Sequence, residues 1–180
     1  MSQTKIRVVL VDDHAVIRAG VEQLLAGTDD IEVVGTAANG AEALEVVRRV
    51  RPDVVLMDLQ MPVVDGVGAT RMIMAEKLGV DVLVLTTFSD SERIIAALDA
   101  GAVGYLLKDA DPEDVLQGIR AVSRGESPIH PKAARALLGV RSGSTQSQLT
   151  TRETEVLSLA SAPPARTRAT AISPRASARC

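Results

Sequence analysis

The chain has 180 residues, room for one full domain plus a small second one or a tail, and its 46% hydrophobic and 24% charged content is that of a soluble globular protein. A net charge of −3 excludes a chain that is basic throughout, the single cysteine excludes an internal disulfide framework, and no apolar run approaches the ~20 residues of a membrane span. One Phe, one Tyr and no Trp leave the core to Val, Leu, Ile and Ala. The N-terminus, MSQTKIRVVLVDDH, meets acids directly after a short apolar run, so it lacks the form of a signal peptide and predicts a cytoplasmic protein.

From residue 6 to 124 a short β-branched run, a turn and an amphipathic stretch recur. IRVVLV (6–11) is solidly apolar, as a parallel strand covered on both faces should be. Val16, Ile17, Val21, Leu24 and Leu25 follow at helical spacing. EVVGTA (32–37) predicts a second strand and AEALEVVRRV (41–50) a second helix, ended at Arg51-Pro52. DVVLMD (53–58) is strand three, followed by a helix near 67–77, and DVLVLTT (81–87) is strand four. ERIIAALDAG (92–101) predicts a helix closed by glycine, VGYLLKD (103–109) strand five, and 111–125 a last helix with Asp111 as N-cap and Pro112 at its first position. Five strands alternating with five helices predict an α/β domain with a parallel sheet and right-handed crossovers.

In such sheets ligands bind beyond the carboxyl ends of the strands. Strand one ends in Asp12-Asp13, strand three in Asp58, strand four in Thr86-Thr87 and strand five in Lys108. Any one of these acids could simply cap the next helix, and a lone lysine could simply be solvated. Together they are a different matter, because clustered carboxylates raise one another's pKa unless a cation sits among them. A hard divalent ion, Mg²⁺ above all, suits a few carboxylate and carbonyl oxygens. With a lysine and a threonine hydroxyl added, the rim can hold the oxygens of a phosphoryl group.

The blocks VLVDDH (9–14), MDLQMPVVDG (57–66), LTTF (85–88) and GAVGYLLKD (101–109) resemble, in order and spacing, the receiver domain of bacterial two-component response regulators. The resemblance covers residues 5 to about 125 and implies a flavodoxin-like, doubly wound five-stranded parallel sheet in the order 2-1-3-4-5. It implies that Asp58 is the phosphoacceptor for a sensor histidine kinase. Asp13, Asp58 and the backbone carbonyl of Gln60 would ligate Mg²⁺, with Asp12 acting through water. Lys108 and Thr86 would bind the phosphoryl group, and Tyr105 would turn inward as the switch. A phosphatase of the haloacid-dehalogenase type also uses an aspartate nucleophile, but it carries a second Asp two residues on, where this chain has Gln60. A flavodoxin-like nucleotide binder would need a Gly-rich loop after strand one, and none follows.

Beyond the receiver (1–125), residues 126–148 shift toward Gly, Ser, Pro and Gln and predict a linker, with a short helix possible at 132–139. LTTRETEVLSLA (149–160) carries a capping-box pattern at Thr150 and Glu153 and resembles the first helix of the LuxR/NarL-type DNA-binding domain. That resemblance implies promoter DNA as a partner and dimerisation on phosphorylation, with output through the fourth helix, fifth strand and fifth helix. From 161 to 180, Pro163, Pro164 and Pro174 and a single large apolar residue, Ile172, predict a disordered basic tail in place of a helix-turn-helix. A frame change near Ala160 or a naturally shortened protein would each produce it. The all-α C-terminal region is thus expected to be incomplete, and the DNA-binding residues stay unassigned.

Overall fold

The computed structural model describes residues 4–87, 90–135, 137 and 138. Its strands are β1 (Ile6–Val11), β2 (Ile31–Ala37), β3 (Val54–Met57), β4 (Asp81–Thr86) and β5 (Gly104–Leu107). Between and after them lie α1 (Ala15–Ala26), α2 (Gly40–Val50), α3 (Gly66–Ala75), α4 (Ser91–Asp99) and α5 (Pro112–Ser123). All strand pairs are parallel, in the order β2-β1-β3-β4-β5. This is the predicted doubly wound arrangement, with a topological switch between β1 and β3.

Strand periodicity sorts the core into two layers, because successive side chains point to opposite faces. Val9, Val11, Val55, Met57 and Val82 pack with Ala43, Leu44 and Val47 of α2 and with Ala69 and Ile73 of α3. Val8, Leu10, Val54, Leu56, Leu83 and Leu85 pack instead with Leu25 of α1 and with Val115, Leu116, Ile119 and Val122 of α5. Each such side chain contributes roughly 1.5–3 kcal/mol on full burial. Local chemistry closes the helices. The Asn39 side chain accepts from the Glu42 N–H, Asp65 from Gly68 and Asp90 from Arg93, satisfying N–H groups that a helix start leaves open. Asp111 stands at the N-cap of α5 as expected, but it makes no side-chain cap bond; its main-chain oxygen accepts from the Asp114 N–H at 2.9 Å instead.

Two boundaries differ in a way that matters. Strands expected to run to 58 and 109 stop at Met57 and Leu107, so Asp58 and Lys108 lie just past the ladder. Their N–H groups still donate to Val11 and Thr86 carbonyls at 2.9 and 2.8 Å, which anchors both backbones at the rim.

The expected linker is also shorter at its start. Ile129 forms a parallel bridge with Tyr105, residues 131–135, 137 and 138 are helical, and Ala133 is fully buried. The compact unit therefore continues past 125 (it is delimited as Met1–Arg141), because the edge of β5 and the surface of α4 offer the segment main-chain partners and an apolar seat. A second unit, Ser142–Cys180, contains the remainder of the linker, the expected first helix at 149–160 and the tail at 161–180, all of which lie outside the described residues.

Candidate functional site

Three strand ends meet at the switch point. Asp12 follows β1, Asp58 follows β3, and Lys108 follows β5. Asp12 and Asp58 are buried, and the Lys108 side chain is only 9% exposed. Its ammonium lies 2.6 Å from Asp12 Oδ2 and 3.0 Å from Asp58 Oδ2, bridging the two acids. The other oxygen of Asp58 accepts from the Leu59 N–H at 2.8 Å. The Asp12 main-chain oxygen accepts from the Arg18 guanidinium, and its Oδ1 from the His14 N–H at 2.8 Å.

Asp13 completes the carboxylate set. One ligand atom from each of Asp12, Asp13, His14 and Asp58 can be chosen so that all lie within 4.8 Å of one another. Three carboxylates against the Lys108 ammonium and the Arg18 guanidinium still leave a surplus of negative charge at this rim. The donor set thus fits a hard divalent cation in both chemistry and charge.

Thr86 ends β4 with its side chain fully buried, and its hydroxyl has no hydrogen-bond partner among the described residues. A buried hydroxyl without a partner is costly, so its presence asks for a use. Tyr105 lies one strand away, in register with Val84, and is fully buried among Val84, Ile94, Ala97 and Leu107. Burial, and then the negative charge of Asp90, push its phenol well above the ordinary tyrosine value, so it stays protonated.

The loop after Asp58 is held tightly. The Gly66 N–H donates to the Leu59 carbonyl at 3.0 Å, and a Cβ at Gly66 would lie 2.0 Å from the Asp58 carbonyl oxygen. Between them, Val63 adopts a positive φ of 68° while the Val64 N–H donates to the Pro62 carbonyl at 2.8 Å. That is a γ-turn of the strained, positive-φ kind, here on a β-branched residue.

The structure gathers Asp12, Asp13, Asp58 and Lys108 directly and sets Thr86 on the adjoining strand end; Gln60 is an exposed loop residue two positions after Asp58. Sequence reasoning passed over His14, whose Nδ1 is 2.8 Å from Asp13 Oδ1 and 3.4 Å from Asp12 Oδ1. It stood inside the VLVDDH block, and its place beside two acids was the signal available. Gly66, the last residue of the MDLQMPVVDG block, permits the close approach of α3 to the backbone of Asp58.

The response regulator receiver domain family matches residues 8–120. The transcriptional regulatory protein LiaR of Bacillus subtilis is 38% identical over 159 residues, covering 86% of this chain and 75% of LiaR. The transcriptional regulatory protein DegU of Brevibacillus brevis is 39% identical over 138 residues, covering 77% of this chain; the matched stretch spans only 58% of DegU's length. Among solved structures, a LuxR-family two-component response regulator from Aurantimonas sp. SI85-9A1 superposes with a TM-score of 0.73 at 34% identity, over 77% of this chain and 99% of that one.

Proposed function

The chain belongs to the response regulator receiver family, and from that premise we propose that Asp58 accepts a phosphoryl group from a phosphohistidine on a sensor kinase. The observation that carries the proposal is the Lys108 bridge: an ammonium held between Asp12 and Asp58 at the carboxyl ends of the strands, beside a surplus of negative charge. In the transfer an Asp58 oxygen forms the new P–O bond as the P–N bond breaks. The imidazole of the donor leaves with the bonding electrons and takes a proton from water. Little covalent work falls to the protein, so position and neutralisation supply the catalysis. Asp12, Asp13, Asp58 and the Gln60 carbonyl would hold Mg²⁺, which supplies charge neutralisation on the phosphoryl oxygens. Lys108 keeps Asp58 in place before transfer and pairs with a phosphoryl oxygen after it. Thr86 then gains an acceptor for its hydroxyl, which has none among the described residues.

That gain is the physical basis of a switch, because a ligand shifts a two-state equilibrium only through its differential interaction with the two states. Thr86 moves toward the phosphoryl group, and Tyr105, on the neighbouring strand, repacks. The altered face of α4 and β5 would favour a homodimer. The output proposed is transcriptional regulation, the role for which LiaR and DegU are named, exerted here through promoter DNA.

Incubation with acetyl phosphate and Mg²⁺ tests the reading: the wild type gains one acyl phosphate, which decays slowly, and Asp58→Ala gains none. Persistent labelling of Asp58→Ala removes Asp58 as the acceptor, and rapid repeated turnover of small phosphoesters would favour a phosphatase. A gel shift of the phosphorylated chain on candidate promoters tests the output; absence of any sequence-specific shift would leave signalling by protein contact.

A further inference from the structure

β5 is the edge of the sheet, and an edge strand presents main-chain groups with no partner in the ladder. At Tyr105 those groups are taken by the segment after α5. The Tyr105 N–H donates to the Pro128 carbonyl and its carbonyl accepts from the His130 N–H, both at 2.9 Å, around a parallel bridge to Ile129. The chain then turns into helical conformation at 131–135. Ala133 enters the cluster that holds Tyr105, Ile94 and Ala97 with no exposed surface, and Leu137 packs against it. The Lys132 ammonium reaches Asp109 Oδ2 at 2.8 Å, one residue from Lys108 of the phosphoryl site.

The simplest reading is that this segment covers an edge. An edge cover would pair along β5, however, and this bridge is isolated at Tyr105. The attachment is also slight. It includes two main-chain hydrogen bonds, one ion pair between exposed side chains, the approach of Pro128 to Gly104, and the packing of Ala133 and the half-buried Leu137, with Ala133 the one buried residue among the described positions 126–138. The segment grips the backbone of the tyrosine whose side chain would move, and it leads in sequence to the second unit.

We propose that residues 128–135, with 137 and 138, form a strap latched to the resting position of Tyr105, and that phosphorylation of Asp58 releases it from the face of β5 and α4. The inference rests on the acceptor reading above and adds the route by which the signal leaves the receiver. Coupling of this kind is reciprocal: if the phosphoryl state loosens the strap, loosening the strap must strengthen binding of a phosphoryl analogue.

The test uses the full chain, Mg²⁺ and beryllofluoride, with hydrogen exchange read at the Tyr105 and His130 amides. Bound beryllofluoride is expected to accelerate exchange at both amides by about tenfold or more through local opening, and to leave Asp58→Ala unchanged. Ala133→Glu, which puts a charge into the buried seat, should bind beryllofluoride about fivefold or more tightly. His130→Pro removes one latch donor without altering a fully buried side chain, and it should do the same even if Ala133→Glu fails to fold. Both amides staying protected in the beryllofluoride complex, or His130→Pro binding with wild-type affinity, would reduce the strap to an edge cover. A wild type that fails to bind beryllofluoride at Asp58 would instead overturn the acceptor reading, and the strap's trigger with it.

Discussion

Thr86 carries a fully buried hydroxyl without a partner among the described residues, on a strand whose other inward positions are aliphatic. Valine would fill the same space without that unmet group. Thr86→Val is therefore expected to stabilise the resting protein by about 1 kcal/mol, read by urea unfolding, while weakening beryllofluoride binding. A destabilised variant with unchanged affinity would show that the hydroxyl serves the resting fold. Lys108 is opposite in sign, since its ammonium lies between two buried carboxylates at 2.6 and 3.0 Å. Lys108→Met should lower the rate of labelling by acetyl phosphate about 100-fold or more, as expected when a preorganised charge is removed from a transferring group. At this scale the sequence was informative because parallel strands put their carboxyl-end residues on one rim, so Asp12, Asp13, Asp58, Thr86 and Lys108 could be listed from strand ends alone. His14 escaped that logic. It occupies the N-cap of α1 but makes no side-chain cap bond, and instead its Nδ1 faces Asp13, a contact that its place next to two acids hinted at and strand-end logic did not reach.

Elements are held in register by close approaches that hydrophobic patterning does not encode. Helix α3 begins against the backbone of Asp58 and Leu59, where a Cβ at Gly66 would stand 2.0 Å from a carbonyl oxygen. Gly66→Ala must push the helix or the acceptor loop aside, at a cost of about 1–3 kcal/mol or more, seen as a lower melting temperature together with slower phosphorylation. An unchanged melting temperature would mean that the loop yields freely. Across the other layer, Arg120 of α5 donates to both oxygens of Asp30 at 2.7 and 3.0 Å and, by hydrogen bonding first and charge second, holds the Asp30 carboxyl below the ordinary aspartate value. A carboxyl depressed in the folded state contributes stability above its unfolded pKa, about 3.9, and loses that contribution as pH falls through the folded value. Both side chains are partly exposed, which limits the contribution to about 1 kcal/mol or less. Asp30→Asn should remove this part of the acid dependence of unfolding between pH 7 and the low-pH limit and leave the fold intact. Helix and strand order were readable from period and punctuation. The docking of the segment after α5 on β5 was not, because residues 126–148, shifted toward Gly, Ser, Pro and Gln, look like a linker until an unpaired edge is seen beside them.

At the scale of the molecule, the described residues form a sheet with an acidic rim at its switch point and a strap at its far edge, joined by Thr86 and Tyr105 on adjacent strands. The fold and the family follow from four short blocks, since the spacing between them is the spacing of strands in a doubly wound sheet. Which way the signal leaves does not follow from those blocks. It depends on which edge is covered and by what, a long-range contact between Tyr105 and Ile129 that no local pattern announces. No helix among the described residues is long and apolar enough to cross a membrane. The central claim is that Asp58 itself carries the phosphoryl group. Phosphorylation with acetyl phosphate and Mg²⁺, followed by borohydride reduction, converts an aspartyl phosphate to homoserine, which peptide mass analysis can place. The account predicts homoserine at position 58 in the wild type and at no position in Asp58→Asn; homoserine at Asp12 or Asp13 in the wild type, or at any position in Asp58→Asn, would contradict it.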